Sequence, residues 1–138
     1  MIAYLDTSVL VAAFTVDALT ERARLWLKGG PSLIVSNWGA AEFSAAILRK
    51  QRRGEMDRDG VVRAEALMDL LVREAASYRP VLAEDISAAR EAVRRYPPLR
   101  APDALHLVMA TRLAMPLATL DKGLRDAASA SGTPVVDL

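Results

Sequence analysis

Apolar residues fall along this chain in two rhythms, short continuous runs and longer stretches at helical spacing, and their alternation predicts the order of its elements. Ile2-Ala3-Tyr4-Leu5 opens a strand over 2–6, followed by a short apolar helix over 8–14. Leu19, Ala23, Trp26 and Leu27 recur at helical spacing and predict a helix over 17–28, ended by Gly29-Gly30. A strand at 33–35 follows. Ser36 or Asn37 then caps a helix that carries Trp38, Ala41, Ala45 and Leu48 and runs to Gly54. A long helix is expected over 58–77, a strand over 80–82 and a helix over 85–96 that stops at Pro97-Pro98. Pro102 suits the first turn of the next helix, where its missing N–H is not needed. A strand at 117–121, a helix at 122–131 and a strand at 134–137 complete the pattern. Strands separated by helices imply an α/β fold with a parallel sheet covered on both faces.

Within that frame, four carboxylates occupy special places. Asp6 closes the first strand and Asp121 closes Leu117-Ala118-Thr119-Leu120, while Glu42 and Asp103 lie near helix starts. In an open parallel sheet the carboxyl ends of the strands and the helix N-termini share one edge, and ligands bind along it. The four acids are therefore expected to converge. Each also has a local explanation: Asp6 as a helix cap, Asp121 in an Asp-Lys-Gly turn, Asp103 favoured by a helix dipole. Were Gly39 a helix cap, Glu42 would fold back on it. The coincidence of all four favours chemistry, because acids crowded together resist ionising side by side and call for cations.

Composition narrows the chemistry. The chain has 138 residues, 52% of them hydrophobic, which suits one domain over 1–138 with its own core. It has no cysteine, so disulfides, thiolate nucleophiles and zinc ribbons are excluded and a reducing cytoplasm is the expected setting. No apolar run approaches the ~20 residues of a membrane span, and a soluble protein without a membrane partner is expected. Oxygen ligands and a single histidine suit Mg²⁺ or Mn²⁺, as one or two ions, rather than zinc or copper. Such ions support in-line displacement at phosphorus, so phosphodiester hydrolysis is the natural reaction. Net charge is only +1 and does not announce nucleic-acid binding. The cluster Arg49, Lys50, Arg52 and Arg53 either follows an RNA backbone or is a solvated helix end that favours cations. His106 lies in an apolar run and reads as a packed or hydrogen-bonded structural histidine, and Trp26 and Trp38 read as core.

Tyr4-Leu5-Asp6-Thr7-Ser8-Val9-Leu10, Ala41-Glu42-Phe43, Ala101-Pro102-Asp103-Ala104-Leu105-His106-Leu107 and Ala118-Thr119-Leu120-Asp121 resemble, in order, the motifs of PIN-domain ribonucleases. The nearest likeness is to the VapC toxins of prokaryotic toxin–antitoxin pairs. The resemblance implies a PIN-like three-layer sandwich with a five-stranded parallel sheet between helices. It implies a Mg²⁺- or Mn²⁺-dependent endoribonuclease site of Asp6, Glu42, Asp103 and Asp121, with Ser8 and Thr119 as supporting hydroxyls; Asp126 matches a further acid only loosely. It also implies a homodimer, and a VapB-type antitoxin whose C-terminal segment lies along an apolar groove formed by 8–14 and the helix from Trp38 onward. Excess apolar residues over 61–72 agree with a dimer. Two other readings stand beside this one: a non-catalytic PIN-like module that binds RNA or protein, and a haloacid-dehalogenase-like phosphatase. The latter needs a second acid where this chain has Ser8.

Overall fold

Strand β1 (Ile2–Leu5) divides the interior in two. Successive side chains on a strand point to opposite faces, and here Ala3 and Leu5 enter one core while Tyr4 enters the other. Strand β2 (Ser32–Ser36) repeats the division, with Leu33 and Val35 on the first face and Ile34 on the second. The structure, a computed structural model, describes residues 1–138 apart from the side chains of Ala75 and Ala76. Strands β3 (Ala76–Arg79) and β4 (Leu117–Ala118) complete a parallel sheet of order β3-β2-β1-β4.

Helices cover both faces. The first core is closed by α1 (Thr7–Phe14), α2 (Thr20–Lys28), α3 (Asn37–Arg52) and α4 (Arg58–Leu70). The second is closed by α5 (Ala83–Arg95), α6 (Ala101–Arg112) and α7 (Lys122–Ser131). This is the three-layer arrangement expected from the alternation of elements. Trp26 packs against the first core and Trp38 against the second. Among the described residues no helix is long and apolar enough to cross a membrane.

Several expectations shift, among them the strand expected over 117–121, which is only Leu117–Ala118. The helix expected over 58–77 stops at Leu70, a π-helical turn spans Leu71–Ala75, and the strand lies at Ala76–Arg79 instead of 80–82. Pro80 cannot donate to a ladder and so follows the strand. β3 is an edge strand whose Tyr78 is 43% exposed, so no apolar alternation marks it. The helix expected from 17 begins at Thr20, because Thr20 Oγ1 accepts from Asp17 N–H at 2.9 Å and holds the preceding residues in a turn. The fifth strand, 134–137, is reduced to one parallel bridge, Leu117 to Val135. It is flanked by Leu117 N–H to Pro134 O at 2.8 Å and Val136 N–H to Leu117 O at 2.9 Å. Pro134 has no N–H with which to extend it.

The result that positions chemistry is the edge shared by the strand ends. Helix α1 leaves β1 directly after Asp6, α3 leaves β2 at Ser36, and α7 begins just beyond β4 at Asp121. Helix α6, buried at Ala104–Leu107, Met109 and Ala110, brings Asp103 in its first turn to the same edge.

Candidate active site at the carboxyl edge of the sheet

Asp6 stands at the N-cap of α1 but does not cap it. Its carboxylate turns instead to two hydroxyls, with Oδ2 accepting from Ser8 Oγ at 2.5 Å and from Thr119 Oγ1 at 2.7 Å. Those hydroxyls also tie down the loop after β4: Leu120 N–H donates to Ser8 Oγ and Asp121 N–H to Thr119 Oγ1, both at 3.0 Å. Ser8 and Thr119, expected only as supporting hydroxyls near the first and last acids, both bond Asp6. Thr119 is fully buried beneath the site, not exposed in it.

Glu42 reaches the same place from α3. The cap of that helix is Ser36, whose Oγ accepts from Gly39 N–H at 2.9 Å. Glu42 therefore lies beyond the first turn, and the capping role that Gly39 would have given it disappears. Its Oε1 accepts from Thr7 Oγ1 at 2.9 Å and is in direct hydrogen-bond contact with His106 Nε2. His106 Nε2 also lies 3.4 Å from Asp6 Oδ1, and Asp6, Glu42 and His106 form a group able to hold a metal ion. Burial opposes the charged imidazole, but the Glu42 hydrogen bond and the charges of Asp6, Glu42 and Asp103 outweigh it and raise its pKa. The histidine is hydrogen-bonded and buried, as expected, yet it touches the site. Being the sole histidine and one turn past Asp103 was the available signal.

Asp103 and Asp121 line the same cleft. Asp103 Oδ2 accepts from Arg100 Nη2 at 3.3 Å. Partial burial lifts its carboxyl above the ordinary range; Arg100 opposes this, and the charges of Asp121 and Asp6 add to it. Asp121 does cap α7, its Oδ1 accepting from Leu124 N–H at 2.7 Å. All four acids nevertheless line one cleft of about 440 Å³ with Ser8, Arg49, Lys50 and Arg100. Arg52 and Arg53 are exposed and stand outside that lining. Asp126 lies in a neighbouring groove, paired to Lys122 at 2.7 Å. The apolar part of the cleft wall is Val11, Ala12, Leu19, Ala46 and Leu120. Trp38, expected along this wall, instead lines a separate apolar groove with Ile86, Val93, Pro102 and Leu105.

The donor set fits a hard divalent cation. Glu42 Oε2 accepts no hydrogen bond among the described residues, nor does Asp6 Oδ1, so each acid keeps one oxygen for a ligand.

Residues 3–130 match a family described as the PIN domain. Among solved structures, the chain is similar to VapC20 of Mycobacterium tuberculosis, described as a sarcin-ricin loop cleaving toxin. The identity is 22%, coverage 100% of both chains and the TM-score 0.74. It is similar to FitAcB from Neisseria gonorrhoeae, at 19% identity over 99% of this chain and 97% of that one, with a TM-score of 0.67. It is also similar to VapBC2 from Rickettsia felis bound to a DNA fragment from their promoter, at 16% identity over 91% and 92%, with a TM-score of 0.63. No curated protein matches the chain.

Proposed function

Since the chain belongs to the PIN-domain family, we propose that it is a Mg²⁺- or Mn²⁺-dependent endoribonuclease and the toxin of a type II toxin–antitoxin pair. The observation that carries this reading is the convergence of Asp6, Glu42, Asp103 and Asp121, from four separate elements, on one cleft. Capping acids would gather at this edge too, but Glu42 lies beyond the first turn of α3, whose cap is Ser36. Asp6 in particular leaves its capping position to bond Ser8 and Thr119.

Asp6 Oδ1 and Glu42 Oε2 would hold the cation, with Asp103 and Asp121 in the same cleft lining. When bound, one or two such ions supply the Lewis acidity that in-line displacement at phosphorus requires. Arg49, Lys50 and Arg100, all in the cleft lining, meet the phosphates of the RNA on either side of the scissile bond. Ser8 and Thr119 fix Asp6 in one rotamer, so the chain reorganises little when substrate arrives.

A toxin of this kind needs an external inhibitor. An antitoxin segment lying along Val11, Ala12, Leu19 and Ala46 is well placed to direct an arginine at the four acids, where a guanidinium pairs with carboxylates in a fork. The test is cleavage of RNA by the purified chain with Mn²⁺, set against Asp6→Asn and against the chain mixed with its antitoxin. The parent alone should cut. Equal cleavage by Asp6→Asn refutes the active site; equal cleavage with and without bound antitoxin refutes the inhibitory mode.

A further inference from the structure

Resting on the metal-site reading above, we propose that His106 is a positioning residue: anchored by Tyr4, it occupies Glu42 Oε1 and leaves only Oε2 for the cation. The ring is fixed at both ends. Nδ1 lies 3.0 Å from Tyr4 Oη, and Nε2 contacts Glu42 Oε1 and lies 3.3 Å from Thr7 Oγ1. Tyr4 is itself immobile, fully buried in the second core, with its hydroxyl donating to Ser36 Oγ at 2.9 Å. Ser36 in turn is held by the Gly39 N–H that it caps. A run of hydrogen bonds thus passes from the start of α3 through β1 and α6 and back to Glu42 on α3.

The consequence for Glu42 is geometric. Its side chain is long and 23% exposed, so it has rotamers that point to solvent. Two donors on one oxygen, Thr7 Oγ1 and His106 Nε2, remove that freedom. Asp6 is treated alike, with Ser8 and Thr119 both on Oδ2. Each acid is then monodentate toward the cleft. With Nε2 hydrogen-bonded to Glu42 Oε1 and 3.4 Å from Asp6 Oδ1, the histidine stands behind the two acids and the ligand set stays all oxygen. Hydrogen-bond partners of this kind tune affinity by about 10–100-fold.

The experiment is calorimetric titration of the full chain with Mn²⁺ for the parent, His106→Leu, His106→Gln and Tyr4→Phe, with Asp6→Asn marking a lost site. Affinity should fall about 10–100-fold in His106→Leu. His106→Gln should recover most of it, because the glutamine amide can donate from near the Nε2 position, and Tyr4→Phe should lose several-fold. Pulsed electron paramagnetic resonance of the Mn²⁺-loaded parent should show no directly bound nitrogen. Unchanged affinity in His106→Leu overturns the inference, as does a directly coordinated nitrogen, which would make the histidine a ligand. If His106→Leu does not fold, Tyr4→Phe decides, and parental affinity there overturns it. A parent that binds no Mn²⁺ overturns the metal site and the inference with it; a parent that binds, beside an unaffected His106→Leu, overturns the inference alone.

Discussion

Replacing Asp85 by alanine should destabilise the fold far more than its place in the first turn of α5 suggests. The carboxylate is 2% exposed and accepts from Arg112 Nε at 2.7 Å, Arg112 Nη2 at 2.9 Å and Leu82 N–H at 2.8 Å. It clamps α5 onto α6, the helix that carries Asp103 and His106. Removing one partner of a fully buried pair costs about 3–5 kcal/mol. The Arg112 side chain is 29% exposed, so water can reach the abandoned guanidinium; we take about 2 kcal/mol for that loss and about 1 kcal/mol for the bond to Leu82 N–H. At ~2.1 cal/mol/K per residue, a chain of 138 residues should then melt about 10 °C lower. Burial pushes the Asp85 carboxyl up, but the Arg112 hydrogen bonds, the Leu82 N–H and the guanidinium charge outweigh it, and its pKa is depressed. A depressed acid stabilises the fold above its unfolded pKa, ~3.9, and the benefit is lost as pH falls through the lower folded value. The gap between parent and Asp85→Ala should therefore be full at pH 7 and shrink below about pH 4. Thermal unfolding by circular dichroism across that range is the assay. A variant melting within about 2 °C of the parent, or a gap independent of pH, refutes the reasoning.

Mn²⁺ at about a hundred times its dissociation constant should add ~2.7 kcal/mol, raising the melting temperature by roughly 9 °C in a manner reversed by chelator; a flat melting temperature counts against the site. Arg49→Ala and Lys50→Ala should each weaken RNA binding and lower its salt slope by about 0.7, whereas Arg52→Ala and Arg53→Ala, outside the cleft lining, should do less; a uniform effect across all four in binding titrations at several salt concentrations would return the cluster to a general basic helix end. Val62, Leu67 and Leu70 on α4 are 60%, 44% and 43% exposed, and light scattering at micromolar concentration should give twice the chain mass, falling to monomer in Leu67→Glu; a monomeric parent removes the case for a dimer.

Periodicity made most of the fold legible because buried strands and amphipathic helices must repeat at two and at about 3.6 residues. It failed where burial is one-sided or the ladder is short. Edge strand β3 has too little core contact to declare itself, and Val135 pairs only through a single bridge. The four acids were legible for a different reason, since strand ends and helix starts are places a parallel sheet brings together. Which acid does what was not. Asp6 reads as a cap and Asp121 as a turn residue, and only three-dimensional contacts show that Asp121 caps α7 while Asp6 turns to Ser8 and Thr119. Thr7 could have been suspected from its place beside Asp6. Tyr4 could not, because the alternation of β1 points it into the far layer, and its bond to His106 spans 102 positions.

That long reach joins two things usually free to vary apart. Tyr4 fills volume in the core beneath α6 while its hydroxyl steers a ring that touches the acids. A drift in core packing at this strand is thus a drift in the candidate site, and a lineage cannot repack one while conserving the other. Among descendants of this sequence, positions 4, 36 and 106 should be exchanged as a set or not at all.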